Sequence, residues 1–146
     1  MSNVDSVRQK VQRILTQKLG PVRVDEDGDF LVEYESARML IEVCEGFGED
    51  GVILQFKCPL VRGVKLTNEV YKWVATKGQS RRIGALRVIE SDKNPGVGVI
   101  ANEQCIIAED LDESELMAND AILLSDRAEL DTQLQSMFGG ELFGED

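Results

Sequence analysis

The chain has 146 residues, of which 42% are hydrophobic and 29% are charged, with a formal net charge of −11 and no histidine. These values are ordinary for one globular domain and too apolar for a disordered chain. No apolar run approaches the roughly 20 residues of a membrane helix. The N-terminus also lacks the apolar core of a signal peptide, so we expect a cytoplasmic protein that does not bind membranes.

The charges are unevenly distributed along the chain. Nine basic and three acidic residues lie between Lys57 and Lys93, whereas thirteen acidic residues accompany Arg127 alone from Glu103 to the end. Because phosphates would meet a repulsive field around so acidic a chain, nucleic-acid binding is not expected. The two oppositely charged segments could instead pair within a subunit or across a dimer. For any single charge, a solvated surface position is the more common situation.

The three cysteines, Cys44, Cys58 and Cys105, are odd in number and widely spaced. The sequence has no C-x-x-C motif and no histidine to complete a zinc site. All three lie within apolar strand patterns, so we expect buried free thiols. The lack of histidine also removes the usual general base, and we predict neither a metal site nor a cofactor.

The first predicted element is a helix. Its apolar residues recur at helical spacing, and they are Val4, Val7, Val11, Ile14 and Leu15. Gly20 and Pro21 end it, since glycine suits the position after a helix and proline cannot continue one.

Four strand patterns follow. Apolar and polar residues alternate, or nearly so, over residues 22–25, 30–34, 39–45 and 52–58, and Pro59 ends the last of them. A period of two indicates a sheet with one buried face. The two long helices elsewhere in the chain are available to cover that face.

The acidic run Asp25-Glu-Asp-Gly-Asp29 separates the first two strands. Asp27-Gly28 favours a tight hairpin turn. The acidic clustering also suggests calcium, but an EF-hand loop needs glycine at its sixth position, where this chain has Phe30. We therefore predict a turn without a metal ion.

The segment Gly46-Phe-Gly-Glu-Asp-Gly51 matches the dinucleotide-binding pattern G-x-G-x-x-G. That pattern binds a pyrophosphate at the start of a helix. Here a strand pattern follows, and Glu49 and Asp50 would repel the phosphates. We interpret the segment as a loop between antiparallel strands.

A second helix begins after Thr67, a suitable N-cap, and carries the single tryptophan of the chain. Trp73 shares a face with Val70 and Val74. A core position and a subunit contact are about equally expected for Trp73. The predicted partner or dimer contact consists of Leu66, Val70 and Trp73, with Arg81 and Arg82 on its rim.

Two further strands, 82–90 and 97–108, precede a long last helix. Asp112 lies three residues before Glu115 and is the expected cap. The helix should extend to about Met137 and end at Gly139-Gly140. We predict a single α+β domain over residues 1–140, an antiparallel sheet with helices packed on it, and a frayed acidic tail over 141–146.

The predicted order is helix, three strands, helix, two strands, helix, if one early strand is short or merged. In a small acidic chain this order resembles the type III secretion chaperones and the YbjN-like proteins, above all the actinobacterial proteins described as peptide-binding chaperones of that superfamily. The segments that carry the resemblance are Val24-Asp-Glu-Asp-Gly-Asp-Phe30, Ser36-Ala37, Tyr71-Lys-Trp-Val-Ala-Thr-Lys-Gly78 and Leu130-Asp-Thr-Gln-Leu-Gln-Ser-Met-Phe-Gly-Gly140.

The resemblance implies a non-enzymatic protein, usually a homodimer, that holds extended segments of a protein or peptide client against apolar grooves. It supplies no catalytic residues and leaves the client open. The residues agree with this reading, since a one-sided sheet and amphipathic helices could bind by apolar burial and by backbone pairing at a sheet edge.

Two alternatives remain. The chain could be a regulatory subunit that docks the acidic last helix on one dedicated partner, although we favour the packing of Leu123 and Leu130 on its own sheet. It could also be an enzyme with paired carboxylates. Asp25, Asp27 and Asp29 lie in a turn predicted to be exposed, so that hypothesis needs Glu33 and Glu42 together in a pocket.

Overall fold

The computed structural model describes residues 3–34, 37–46, 48, 51–80 and 83–143. Within these ranges the chain forms three α-helices, seven β-strands and a short 3-10 helix over Lys77–Gln79. The helices are α1 (Asn3–Leu19), α2 (Asn68–Ala75) and α3 (Glu113–Phe138). The strands are β1 (Arg23–Val24), β2 (Phe30–Tyr34), β3 (Ala37–Glu45), β4 (Val52–Lys65), β5 (Ala85–Glu90), β6 (Val97–Ile107) and β7 (Glu141–Leu142).

The strands form one antiparallel sheet in the order β1-β2-β3-β4-β6-β5, and β7 pairs with β4 outside this order. The predicted α+β class with an antiparallel sheet is confirmed. Four strands precede α2, and β1 has only two residues, which is the short early strand that the predicted order required. Gly28, at a φ of 84°, supplies the left-handed residue of the β1–β2 turn.

The prediction that Pro59 ends β4 is wrong, because the strand continues to Lys65. Pairing with β3 ends at Lys57, so beyond it only β6 accompanies this part of β4 until β7 joins at Val61. The register with β6 shifts after Pro59 and again before Val64. A proline is tolerated at such an irregular position because no regular ladder bond needs its missing N–H.

The first of two hydrophobic cores lies between α1, the beginning of α3 and the sheet. The predicted stripe of α1 is confirmed, since Val7, Val11, Ile14 and Leu15 are buried. They pack on the inward residues of β2, β3 and the first half of β4, which include Phe30, Met39, Ile41, Leu54 and Phe56.

The second core lies under α2 and the end of α3. It contains residues from the second half of β4 and from β5 and β6, and these include Leu60, Val64, Leu86 and Ile100. Helix α3 spans both cores, because Leu116 and Leu123 belong to the first, and Leu130 and Leu134 to the second. This helix therefore connects the two halves of the domain.

The predicted cap of α3 is confirmed, since the Glu115 N–H donates to Asp112 Oδ1 at 2.8 Å. The frayed tail over residues 141–146 stays a prediction. Gly139 and Gly140 have φ angles of 77° and 89°, and they turn the chain so that Glu141 and Leu142 pair with β4. Leu142 packs against the second core, and this partial burial favours the pairing of β7 with β4. Residues 144–146 lie outside the described residues.

The segment with the glycine pattern joins the antiparallel strands β3 and β4 as predicted, with the Gly46 N–H bonded to the Gly51 carbonyl at 2.8 Å. Phe47, Glu49 and Asp50 lie outside the described residues. The cysteines are free, but only Cys58 is buried, and this burial raises the pKa of its thiol to about 12. Cys44 is half-buried and Cys105 is exposed, so the prediction of three buried thiols is wrong.

Candidate functional site

An apolar groove of about 380 Å³ lies between the end of α1, the start of β3 and the middle of α3. We call it the α3 groove. Leu19 of α1 and Ala37 of β3 form two of its walls. The side chains from α3 are Met117, Asp120, Ala121, Leu124, Ser125, Arg127 and Ala128. Leu19 is 40% exposed, so it offers apolar contact area at the wall of the groove.

The groove exists because α3 has two apolar sides instead of one. Leu116 and Leu123 point into the first core. Met117 and Leu124, each one position further along, are only partly buried and line the groove. Since successive helix residues are turned by about 100°, these two pairs define adjacent sides of the helix. The side with Leu116 and Leu123 packs in the first core. Within the described part of the chain, the side with Met117 and Leu124 is left accessible to a ligand.

Asp120 lies between those two sides, three or four residues from each of the four apolar side chains. It is only 2% exposed. Neither carboxylate oxygen has a hydrogen-bond partner among the residues that the structure describes. Burial raises the pKa of Asp120 from its usual value near 3.8 to about 7, because the charged form loses its hydration.

The second buried acid of α3 has a different environment. Asp131 accepts the Thr132 N–H at 2.6 Å and pairs with Arg127 Nε at 3.4 Å. Arg127 also donates to the Phe143 carbonyl at 3.1 Å. The cation at this end of the groove is therefore bound within the chain.

The contact surface predicted around α2 is only partly accessible. Thr67 caps the helix as predicted, with its Oγ1 accepting the Val70 N–H at 3.4 Å. Val70 is 1% exposed and belongs to the second core. It therefore lies beneath the predicted contact surface and is not accessible in this chain. Leu66 and Trp73 are partly buried against the same core, and Trp73 meets Phe138 edge to face at 6.0 Å. Arg81 and Arg82 lie outside the described residues.

The most accessible aromatic residue of this α2 surface is Tyr71, which is 45% exposed. It follows Val70 directly and lies one turn after Thr67, whose carbonyl accepts its N–H. Leu66 and Trp73 lie at the margin of the second core, and Tyr71 is exposed on the other flank of α2, since residues two positions apart on a helix do not share a face.

Among the described residues, two strands have backbone edges along which no other strand pairs fully. Strand β5 forms one end of the strand order. At the other end, β1 pairs only with Phe30 and Leu31 of β2, so the remaining residues of β2 extend beyond it. This edge ends beside the α3 groove, because Tyr34 pairs with Ala37.

The acidic turn brings the carboxylates of Asp25, Asp27 and Asp29 within 4.8 Å of one another. Asp25 Oδ1 accepts the N–H groups of Asp27 and Asp29, both at 2.9 Å. Burial, and then the charge of Asp25, raise the pKa of Asp29. The turn geometry alone accounts for this clustering.

The sequence profile of one protein family, described as T3SS (YopN, CesT) and YbjN peptide-binding chaperone 1, matches residues 5–146. The chain belongs to this chaperone family. The match begins in α1 and extends past β7, so it covers nearly the whole chain. No curated protein matches the sequence.

The fold of this family member is similar to that of a chain in the crystal structure of the ExsC–ExsE complex. The TM-score is 0.63 with 16% sequence identity, and the alignment covers 90% of this chain and 96% of the other. At this identity the likeness concerns the fold alone. Among the described residues, none of the helices is both long enough and apolar enough to cross a bilayer.

For this chaperone-family chain, the structure argues against the paired-carboxylate site. Glu33 pairs with Arg23 at 3.1 Å, and Glu42 pairs with Lys57 at 3.0 Å. Each carboxylate therefore has its own cation at the sheet surface, and the two do not form a shared pocket. Leu123 and Leu130 are fully buried in the chain itself, so that stripe of α3 is not a docking face.

Sequence reasoning missed the α3 groove. A signal was present, because Met117, Ala121, Leu124 and Ala128 recur at helical spacing beside the leucine stripe. The leucine stripe is the stronger of the two patterns in α3, so it alone entered the prediction of the buried side. The buried position of Asp120 had no such signal, since an aspartate on an acidic helix is expected in water.

Proposed function

We infer that this chain is a non-enzymatic, cytoplasmic chaperone that acts as a homodimer and holds extended segments of a protein or peptide client on apolar surface. Membership of the peptide-binding chaperone family supports the general class. The α3 groove carries the specific proposal, because it is an apolar surface beside an open sheet edge.

The driving force would be burial of apolar side chains in the groove, worth about 25 cal/mol per Å² removed from water. Met117, Leu124 and Leu19 offer this contact area. The surrounding acidic surface keeps the free protein soluble and attracts basic clients.

Backbone pairing with the edge of β2 would fix the orientation of the client segment. A client strand that pairs beyond β1 would satisfy backbone groups of β2 and end beside Ala37. Its alternate side chains could then enter the groove, so backbone pairing and apolar burial would act on the same client segment.

We place the homodimer contact on α2. Leu66 and Trp73 would form its apolar centre, with Tyr71 on the other exposed flank of α2 and Val70 packed beneath the helix. Arg81 and Arg82 would lie on its rim and could meet acidic residues of the partner, given the uneven charge of the chain.

The client site is tested with Leu124→Asn, which replaces apolar contact area in the groove by an amide and leaves the charge of α3 unchanged. We expect loss of binding to peptides selected on the wild-type protein, measured by fluorescence anisotropy, with an unchanged circular dichroism spectrum. Gln133→Asn, at an exposed position of α3, likewise leaves the charge unchanged and should bind as wild type does. Equal binding by the Leu124 and Gln133 variants would contradict the client site.

The dimer contact is tested by light scattering with Trp73→Ala, which should shift the chain towards the monomer. Because Trp73 also packs on Phe138, Tyr71→Asp provides a second variant that removes no core contact. A dimer of undiminished strength in both variants would place the contact elsewhere. Capture from the source cell, followed by mass spectrometry, would distinguish many clients from one dedicated regulatory partner.

A further inference from the structure

The chain pairs one buried acid of α3 and leaves another without a partner. Asp131 has a backbone N–H and a guanidinium within contact distance. Asp120 is buried, with only 2% of its surface exposed, and it has no hydrogen-bond partner within the described ranges. Burying an unpaired carboxyl is destabilising, so a protein that keeps one at the wall of an open groove has a ready acceptor for a ligand.

The shape of the groove indicates what that ligand group should be. The lining around Asp120 is apolar, with Met117, Ala121 and Leu124 on the same helix and Leu19 opposite. A lysine or arginine side chain matches this arrangement, because it combines an apolar stem with a cationic end. The stem would contact the apolar lining while the cation meets the carboxylate.

Three basic residues line the groove or are next to groove residues in the sequence, and each has another contact or lies on another face. Arg127 is bound to Asp131 and to the Phe143 carbonyl. Lys18, beside Leu19, contacts Glu113 at 2.6 Å. Arg38, beside Ala37, is exposed on the opposite face of β3.

The local charge also favours a basic ligand. Within α3, Arg127 is the single basic residue against the acidic residues Glu113, Glu115, Asp120, Asp126, Glu129 and Asp131. A cation approaching α3 therefore meets an attractive field, and a client carboxylate would be repelled.

We propose that the α3 groove recognises a client segment that inserts one lysine or arginine side chain against Asp120. This inference rests on the proposed chaperone function and adds the chemical class of the client. The raised pKa of Asp120 is consistent with it, because a bound cation would favour the ionised carboxyl and repay part of its desolvation.

The test uses a random-peptide display library selected on the immobilised full chain, in parallel with Asp120→Asn. We expect peptides from the wild type to carry lysine or arginine among apolar residues, and peptides from Asp120→Asn to lack this preference. In an enriched peptide, norleucine in place of lysine removes only the ammonium group. It should weaken binding at least about tenfold to the wild type and leave Asp120→Asn unaffected.

Glu129→Gln is the matched control, because it removes the same charge from an exposed position of α3 and should keep the wild-type preference. Enriched peptides without a basic preference, or with equal affinity after the norleucine exchange, would overturn the inference and leave the chaperone function standing. Failure of the wild type to enrich any peptide would instead contradict the chaperone function itself.

A second measurement covers the case in which Asp120→Asn does not fold. A carbodiimide joins a lysine amine only to a carboxylate that it touches. On the wild-type protein we expect mass spectrometry to find the peptide lysine linked to Asp120. Cross-links confined to the exposed acids of α3 would rule out the proposed contact.

Discussion

The two hydrophobic cores share one helix but differ in how completely they are closed. In the second core, Trp73 packs on Phe138, β7 pairs with β4, and Arg62 lies 5.6 Å from the centre of the Phe143 ring. In the first core, the outer side of α3 remains open beside Leu19. The buried acid is paired in the closed half and unpaired in the open half.

This difference indicates that one half of α3 contributes mainly to stability and the other half mainly to binding. The buried residues of the closed half pack on one another, so truncating them should affect stability. The open half contains side chains that folding leaves partly exposed, so their changes should affect binding more than stability. The following predictions test this separation, beginning with the largest expected effect.

Truncating neighbouring leucines of α3 should have unequal effects. Leu123 is fully buried, so Leu123→Ala should lower the free energy of unfolding by about 2–5 kcal/mol through lost burial and a new cavity. Leu124 lies in the groove and is partly exposed, so Leu124→Ala should cost less than about 1 kcal/mol. Urea unfolding followed by circular dichroism measures both.

Gln133→Ala serves as the control, since it truncates an exposed side chain and preserves helix propensity. Equal losses for the Leu123 and Leu124 variants would mean that the groove side of α3 is as tightly packed as the core side, and the proposed separation would then fail.

The stability of the open half should depend on pH through Asp120. Its pKa is about 7 in the folded protein, compared with 3.8 ordinarily, so the unfolded chain ionises first as the pH rises. The native state therefore loses stability from about pH 4 to pH 7, and above that range the loss is complete. A tenfold change in an ionisation constant corresponds to about 1.4 kcal/mol, so the total is a few kcal/mol.

Asp120→Asn should remove this part of the pH dependence, so the variant should gain stability relative to the wild type from about pH 4 to pH 7 and keep that gain above pH 7. Glu129→Gln, with its exposed acid, should follow the wild type over the same interval. Parallel thermal-unfolding curves for the wild type and Asp120→Asn would contradict a strongly raised pKa.

The fold was largely predictable because its signals are local. The apolar periods of α1, the strands and α3, together with the caps Thr67 and Asp112, each depend on a few neighbouring residues. The continuation of β4 past Pro59 was not predictable, since it depends on pairing with β6, which accompanies β4 to Lys65 after the pairing with β3 has ended. That limit is set by strand register, which a single strand pattern does not reveal.

The candidate site was harder to predict for a related reason. A groove exists where folding leaves a side uncovered, which depends on the positions of several distant elements. Leu19 and Ala37 approach α3 only in the folded chain. The contact predicted around Val70 stays a prediction, and the burial of Val70 in the second core also depends on distant elements.

Removing residues 141–146 should destabilise the closed half by about 1–2 kcal/mol. The truncation deletes the β7 pairing, the packing of Leu142 and the hydrogen bond from Arg127 to the Phe143 carbonyl. Peptide binding in the open half should change less than twofold. Unchanged unfolding after truncation would favour the sequence-based prediction of a frayed tail, whereas lost peptide binding would show that the two halves are coupled.

The smallest effects should occur at the start of α3, where a cap and an ion pair lie side by side. Asp112→Ala leaves the Glu115 N–H without its acceptor and should cost about 1 kcal/mol. Lys18→Met removes the contact with Glu113, but both side chains are about half exposed, so water screens the pair and the loss should stay below about 0.5 kcal/mol. Added salt should diminish the Lys18 effect and largely spare that of Asp112. The ion pair of Lys18 with Glu113 joins α1 to α3. If Lys18→Met instead costs more than Asp112→Ala, this pair fixes the spacing of the groove walls. The open half is then more rigid than its exposed side chains indicate.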